Sequence, residues 1–105
     1  MKDNVGYKSV VIANGTTSVD VDLVNSRLTA VIFPAAFDGT SLAVHNSPDD
    51  GVTYYNITGA GITVTPGEQV PGDLPKLSTS RKIRLVSSAT EKADRTLILV
   101  LAPIL

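Results

Sequence analysis

No stretch of this chain holds apolar residues at the spacing of a helix, and that constrains the fold more than any motif does. Apolar residues come instead in short runs, several with a two-residue period. In "SVDVDLV", residues 18–24, Val19, Val21 and Leu23 point one way and Asp20 and Asp22 the other, the pattern of a strand with one buried face. "RKIRLVS" (81–87) repeats it, with Ile83 and Leu85 opposite Lys82 and Arg84. "VGYKSVVIA" (5–13) ends at the turn dipeptide Asn14-Gly15, and "NSR" (25–27) reads as a turn. "LTAVIF" (28–33) is apolar on both faces, as a central strand would be. "SLAVHN" (41–46), "VTYYNI" (52–57), "ITV" (62–64) and "RTLILVLA" (95–102) complete the set.

Proline placement supports these boundaries. Pro34, Pro48, Pro66, Pro71, Pro75 and Pro103 all fall between the runs or at their ends, where a residue with no N–H does not interrupt a ladder. The expected fold is a single domain over residues 1–105, all-β, an antiparallel β-sandwich of jelly-roll type with about eight strands. The longest irregular stretch, residues 65–80, reads as a loop or extended arm, because three prolines and two glycines interrupt it. Residues 88–94, "SATEKAD", read as a short polar connection with room for one helical turn. The expected core is Val19, Val21, Leu23, Ile32, Leu42, Val44, Ile83, Leu85, Leu97 and Leu99.

Composition removes several function classes. With 43% hydrophobic and 18% charged residues, disorder is not expected. Nine basic against ten acidic residues leave a net charge of -1, so no positive field invites nucleic acid. There is no cysteine, hence no disulfide, thiolate metal site or cysteine nucleophile. The start lacks an apolar core of signal-peptide length. The apolar end, "TLILVLAPIL", is about half the ~20 residues a bilayer-spanning helix needs, so it reads as a buried strand, and no membrane partner is expected.

Catalytic and metal chemistry find little support. His45 is the only histidine and lies inside an expected strand; no G-x-S-x-G elbow accompanies it. A transition-metal site normally needs several His or Cys ligands. Calcium takes oxygens alone, so Asp38, Asn46, Asp49 and Asp50 could converge around a hairpin. The simpler account of "SPDDG" is turn chemistry: Pro48 fixes φ, Asp49 and Asp50 cap the backbone, and Gly51 takes positive φ. The chain has no tryptophan, three tyrosines and two phenylalanines, which disfavours a sugar-binding cleft. Tyr54 and Tyr55 should face opposite sides of their strand, one inward and one outward. Arg81, Lys82 and Arg84 form the only basic concentration, either a solvated strand face or a set of partners for acidic neighbours. Asn14-Gly15-Thr16 and Asn56-Ile57-Thr58 match the glycosylation triplet, a motif common by chance.

The order of the motifs adds a resemblance. "RLTAVIFPAAFDGTSLAVHNSPDDGVTYYNI" is similar to a pattern in small structural proteins of tailed bacteriophages, with Pro34, Phe37, Gly39, Thr40, Ser41, Leu42, Ser47, Asp50, Gly51, Thr53, Tyr54 and Tyr55 carrying the match. "RKIRLVSSATEKADRTLILVLAP" resembles that family's closing strand pair through Ile83, Arg84, Leu85, Ser87, Ala93, Asp94, Arg95, Thr96 and Leu97. The chain departs from the pattern at "STSRKIRL", where the family usually places an apolar residue. The resemblance implies a β-sandwich in the virion, without enzymatic activity or cofactor. It implies a capsid decoration protein that forms a homo-oligomer, with a trimer expected, and binds the major capsid protein or other virion proteins. A neck or tail accessory protein that contacts the host is the alternative within the virion, and a carbohydrate-binding module the alternative outside it. The expected contact residues are Asp49, Asp50 and Tyr55 at the hairpin, Glu68, Val70, Leu74 and Lys76 in the arm, and Arg81, Lys82 and Arg84 beside it.

Overall fold

The strands pair as one antiparallel ribbon rolled up on itself. The computed structural model describes residues 6–13, 15–18, 20–23, 26–72 and 82–103. It contains β1 (Gly6–Ile12), β2 (Val21–Asp22), β3 (Ser26–Ile32), β4 (Ser41–Ser47), β5 (Tyr55–Asn56), β6 (Ile62–Thr63), β7 (Gln69–Pro71), β8 (Lys82–Ser87) and β9 (Arg95–Pro103). Along the ribbon β1 pairs β9, β2 pairs β8, β3 pairs β7, and β4 pairs β5 and β6. Rolling brings β9 onto β3 and β8 onto β4. The result is two sheets, ordered β1-β9-β3-β7 and β2-β8-β4-β5, with β6 also on β4. That is the connectivity of a jelly roll. Because β5 and β6 occupy opposite ends of β4, the nine strands fill eight positions.

The core lies between the sheets. Val10, Ile12, Leu28, Val31, Leu97 and Leu99 from the first sheet meet Val21, Leu42, Val44, Ile62, Ile83 and Leu85 from the second, with Phe33 at one end. Alternation explains the placement, since directly opposed residues share a face. Leu85 faces Val44 across β8 and β4, and Leu97 faces Val10 across β9 and β1. Each such side chain stabilises the fold by roughly 1.5–3 kcal/mol relative to exposure. Of the expected core, Val21, Leu23, Leu42, Val44, Ile83, Leu85, Leu97 and Leu99 are buried. Val19 lies outside the described residues.

Ile32 is a correction. A bulge in β3 shifts its register on β9 between Leu28 and Ala30, leaving Thr29 as the extra residue. The Thr29 hydroxyl donates to the Val100 carbonyl at 2.8 Å, and the Thr29 carbonyl accepts from the Gly72 N–H at 2.8 Å. Leu28 and Val31 therefore both face the core, while Ala30 and Ile32 turn outward, and Ile32 is only half-buried.

Other boundaries also move. Ser26 and Arg27 are not a turn but the start of β3, opposite Pro103 and Ala102. The Ser26 N–H donates to the Leu23 carbonyl at 2.9 Å. Residues 52–57 contribute only the two-residue β5. Residues 88–94 form bends and no helical turn. The segment 65–80 is not wholly an arm: residues 65–68 turn about Pro66-Gly67, and β7 then pairs with β3 at its edge, where Pro71 ends the strand. Residues 73–80 lie outside the described residues.

Candidate functional site

The hairpin tip is built as turn chemistry. The Ser47 hydroxyl donates to Asp49 Oδ1 at 2.8 Å and accepts the Gly51 N–H at 2.7 Å; Asp49 Oδ1 also accepts the Thr53 N–H at 2.8 Å. Asp50 and Gly51 both take positive φ, 61° and 95°. Those bonds, the Thr53 N–H first, hold the Asp49 carboxyl below the usual aspartate value. Among the described residues Asp50 caps no backbone group; it reaches Lys82 Nζ at 3.1 Å. The calcium set does not assemble. Asp38 precedes the seven-residue β4 and Asn46 to Asp50 end it, so the strand separates them, and Asp38 is bound to Arg95. Among the described residues no three His, Cys, Asp or Glu side chains gather as a metal site would require.

The basic group on β8 is paired. Arg84 binds Asp20 through Nη2 at 2.8 Å and Nε at 2.9 Å, and its guanidinium lies 4.0 Å over the Tyr54 ring. This hydrogen-bonded pair pulls the Asp20 carboxyl down. Burial, and then the neighbouring Asp20 charge, raise the Tyr54 hydroxyl. Tyr54 Oη is buried beside the Asp20 carboxylate and has no hydrogen-bond partner among the described residues. His45 stands opposite Arg84 and Asn56 on the same outer face, half-buried. The adjacent tyrosines are not divided between core and surface as expected: Tyr54 is half-buried under Arg84, outside the core, and Tyr55, at the start of the edge strand β5, is 60% exposed. Arg81 lies outside the described residues.

The opposite end of the sandwich holds a residue that sequence reading missed. Glu91 sits in what reads as a polar connection, yet its side chain is 0% exposed. Its carboxylate accepts the Asp38 and Gly39 N–H groups and the Ser87 hydroxyl, each at 2.8 Å, and Arg95 Nε at 3.2 Å. Burial alone would push this carboxyl up. The Asp38 N–H, the Ser87 hydroxyl, the Gly39 N–H and Arg95 outweigh it and hold it below the ordinary glutamate value. Asp38 in turn accepts the Lys92 N–H at 2.8 Å and Arg95 Nη2 at 3.1 Å, in that order the causes of its lowered pKa. The Glu91 N–H donates to the Gly15 carbonyl at 2.7 Å. Three connections between the sheets thus converge on one residue. Gly39 is required there, since a Cβ would collide with the Ser87 hydroxyl. No spacing rule marks a loop glutamate as buried; Gly39 beside Asp38 was the only trace.

The outer face of the first sheet is different again. Opposed residues in register place Tyr7, Ser9 and Val11 of β1, Thr96, Ile98, Val100 and Ala102 of β9, Ala30 and Ile32 of β3, and Gln69 and Pro71 of β7 on it. The one charge in register with them is Arg27 of β3, opposite Ala102 at the end of the face; Ala30 and Val100 at its centre are buried, and Tyr7 at its edge is 68% exposed. Of the expected contact residues, Glu68 is exposed and its carbonyl accepts the Phe33 N–H. Val70 faces inward opposite Val31 and packs on the core. Leu74 and Lys76 lie outside the described residues. Among the described residues, the expected contact residues are divided between the two sheets, and the structure adds a face with one charge, Arg27, that alternation had not marked as a surface. No family model, curated protein or solved structure matches this chain.

Proposed function

We propose that this protein is a structural component of a bacteriophage virion, a homo-oligomeric decoration protein that binds the head surface. The observation that carries the reading is the outer face of β1, β9, β3 and β7, which carries a single charge, Arg27, at one end and is presented by a jelly roll. A specific protein interface typically removes ~1,200–2,000 Å² from water, and charged residues are depleted at its core. A sheet face with its only charge at the rim suits that use. The jelly roll itself recurs in capsid proteins, lectins and cupins, so the architecture contributes an analogy and the face contributes the argument.

Sugar binding is less well supported. The Arg84 guanidinium already occupies one face of the Tyr54 ring, where a sugar would stack. Tyr7 and Tyr55 belong to different sheets and do not form a common platform.

The test is electron microscopy of virions produced with and without the gene. Loss of density over the head surface supports decoration; loss at the neck or tail points to an accessory protein there. Unchanged virions overturn the reading. Purified protein should also sediment with heads, and replacing Ile98 by Lys should release it.

A further inference from the structure

Five strands form the edges of the two sheets, and among the described residues only one of them is left unguarded. β2, β5 and β6 have two residues each, and β7 has three and ends at Pro71. Shortness and proline are the usual means by which proteins blunt an edge. β1 has seven residues, contains no proline, and runs against β9 in unbroken register from Gly6↔Leu101 to Ile12↔Arg95. On its other side, among the described residues, only Ile12 is engaged, by a single bridge to Ser18. Gly6 to Ser9 are all exposed. Half of the backbone groups of this strand point away from β9, ready to pair with another strand.

We infer that β1 pairs antiparallel with β1 of a second copy, about a two-fold axis through Ser9. Three observations select this occupant and register. A sheet continuous across the axis needs outward residues opposite outward residues, which restricts the centre to a residue and not a gap between two. Centring on Lys8 would set two lysines directly opposite, a destabilising like-charge pair. Centring on Val10 would require Ile12, whose far side is already taken by Ser18. Centring on Ser9 sets Tyr7 against Val11 of the second copy, an aromatic against a β-branched side chain, and Lys8 against Val10. Every residue from Tyr7 to Val11 then has a partner and no charge meets its like. The two four-stranded sheets become one eight-stranded sheet, and their outer faces, each with Arg27 as its one charge, become a single surface.

The inference rests on the homo-oligomeric part of the proposed function and replaces the expected trimer by a dimer. The chain has no cysteine, which makes cross-linking specific. Residues directly opposite in an antiparallel pair have Cα atoms about 4.5–5.5 Å apart, within disulfide range. Full-length Ser9→Cys should form an interchain disulfide under mild oxidation, roughly tenfold or more faster than Val52→Cys, because pairing raises the effective concentration. Val52 is 82% exposed and lies away from β1. Ser9→Lys should convert a wild-type dimer to a monomer in sedimentation equilibrium while keeping its urea midpoint. A dimer that persists in Ser9→Lys, or a Ser9→Cys that cross-links no faster than Val52→Cys, overturns this contact and leaves the homo-oligomer standing. A wild-type protein that sediments as a monomer at all concentrations overturns both.

Discussion

The two outer faces of this sandwich differ where the two inner faces agree. Inward, both sheets present the same aliphatic rows, because each must exclude water from the same core. Outward, the face of β2, β8, β4 and β5 carries charges of both signs joined in pairs, Lys82 with Asp50 and Arg84 with Asp20. The face of β1, β9, β3 and β7 carries none along its central rows. Core packing does not dictate outward residues, so their composition reports what each face meets. Paired charges suit water. Ile98, Ile32, Val11 and Tyr7 suit another protein.

The largest expected effect tests the agreement inside. Leu85→Ala in one sheet and Leu99→Ala in the other should each cost about 2–5 kcal/mol in urea unfolding. A cost under about 0.5 kcal/mol at either site would mean that one inner face is not core.

Next comes the residue that joins the sheets. Glu91→Ala strands the Asp38 and Gly39 N–H groups and the Ser87 hydroxyl, and should cost roughly 3 kcal/mol. Acid should act at the same place. Glu91, Asp38, Asp20 and Asp49 all have folded pKa values below their ordinary ones. A depressed carboxyl contributes stability above its unfolded pKa and loses it as pH falls through the folded value. Stability should therefore decline from about pH 5 downward, and the decline should be shallower in Glu91→Gln. Equal slopes for the two proteins would remove Glu91 from the account.

The outer faces should then separate by readout. Arg84→Ala removes an ion pair and a ring contact on a partly exposed surface, and should cost about 1 kcal/mol or less, with head binding unchanged. Ile98→Lys should change unfolding by no more than about 0.5 kcal/mol and yet abolish sedimentation with heads. If Arg84→Ala were instead the variant that releases the protein, the faces would have exchanged roles.

How much of this was legible follows from how local each signal is. Alternation at Val21 and Leu23, Ile83 and Leu85, and Leu97 and Leu99 is a property of a few neighbouring residues, and it placed most of the core. The turn at Ser47, Asp49 and Gly51 is equally local. Ile32 was misplaced because "LTAVIF" is apolar at both parities, so nothing in it reveals a bulge at Thr29. β7 was hidden among prolines and glycines, since its pairing with β3 is decided more than thirty residues away. Glu91 was illegible for the same reason: its partners Asp38 and Gly39 lie 53 and 52 residues from it. The outer face of β1, β9, β3 and β7 needed the register of three pairings before Tyr7, Ile98 and Ile32 could be placed side by side.

The ribbon's closure also governs how the chain reaches this state. Gly6 pairs with Leu101, so the first described strand finds its partner in the last. β9 is also the neighbour of β3, so the last described strand is interior to its sheet. Until it emerges, β1 and β3 have no neighbour between them, and the aliphatic rows they will bury stay in water. Folding of that sheet must wait for β9, and closing so long a loop makes the step slow. A nascent chain therefore carries exposed strand edges until β9 emerges, and it is then, more than in the folded domain, that aggregation threatens it.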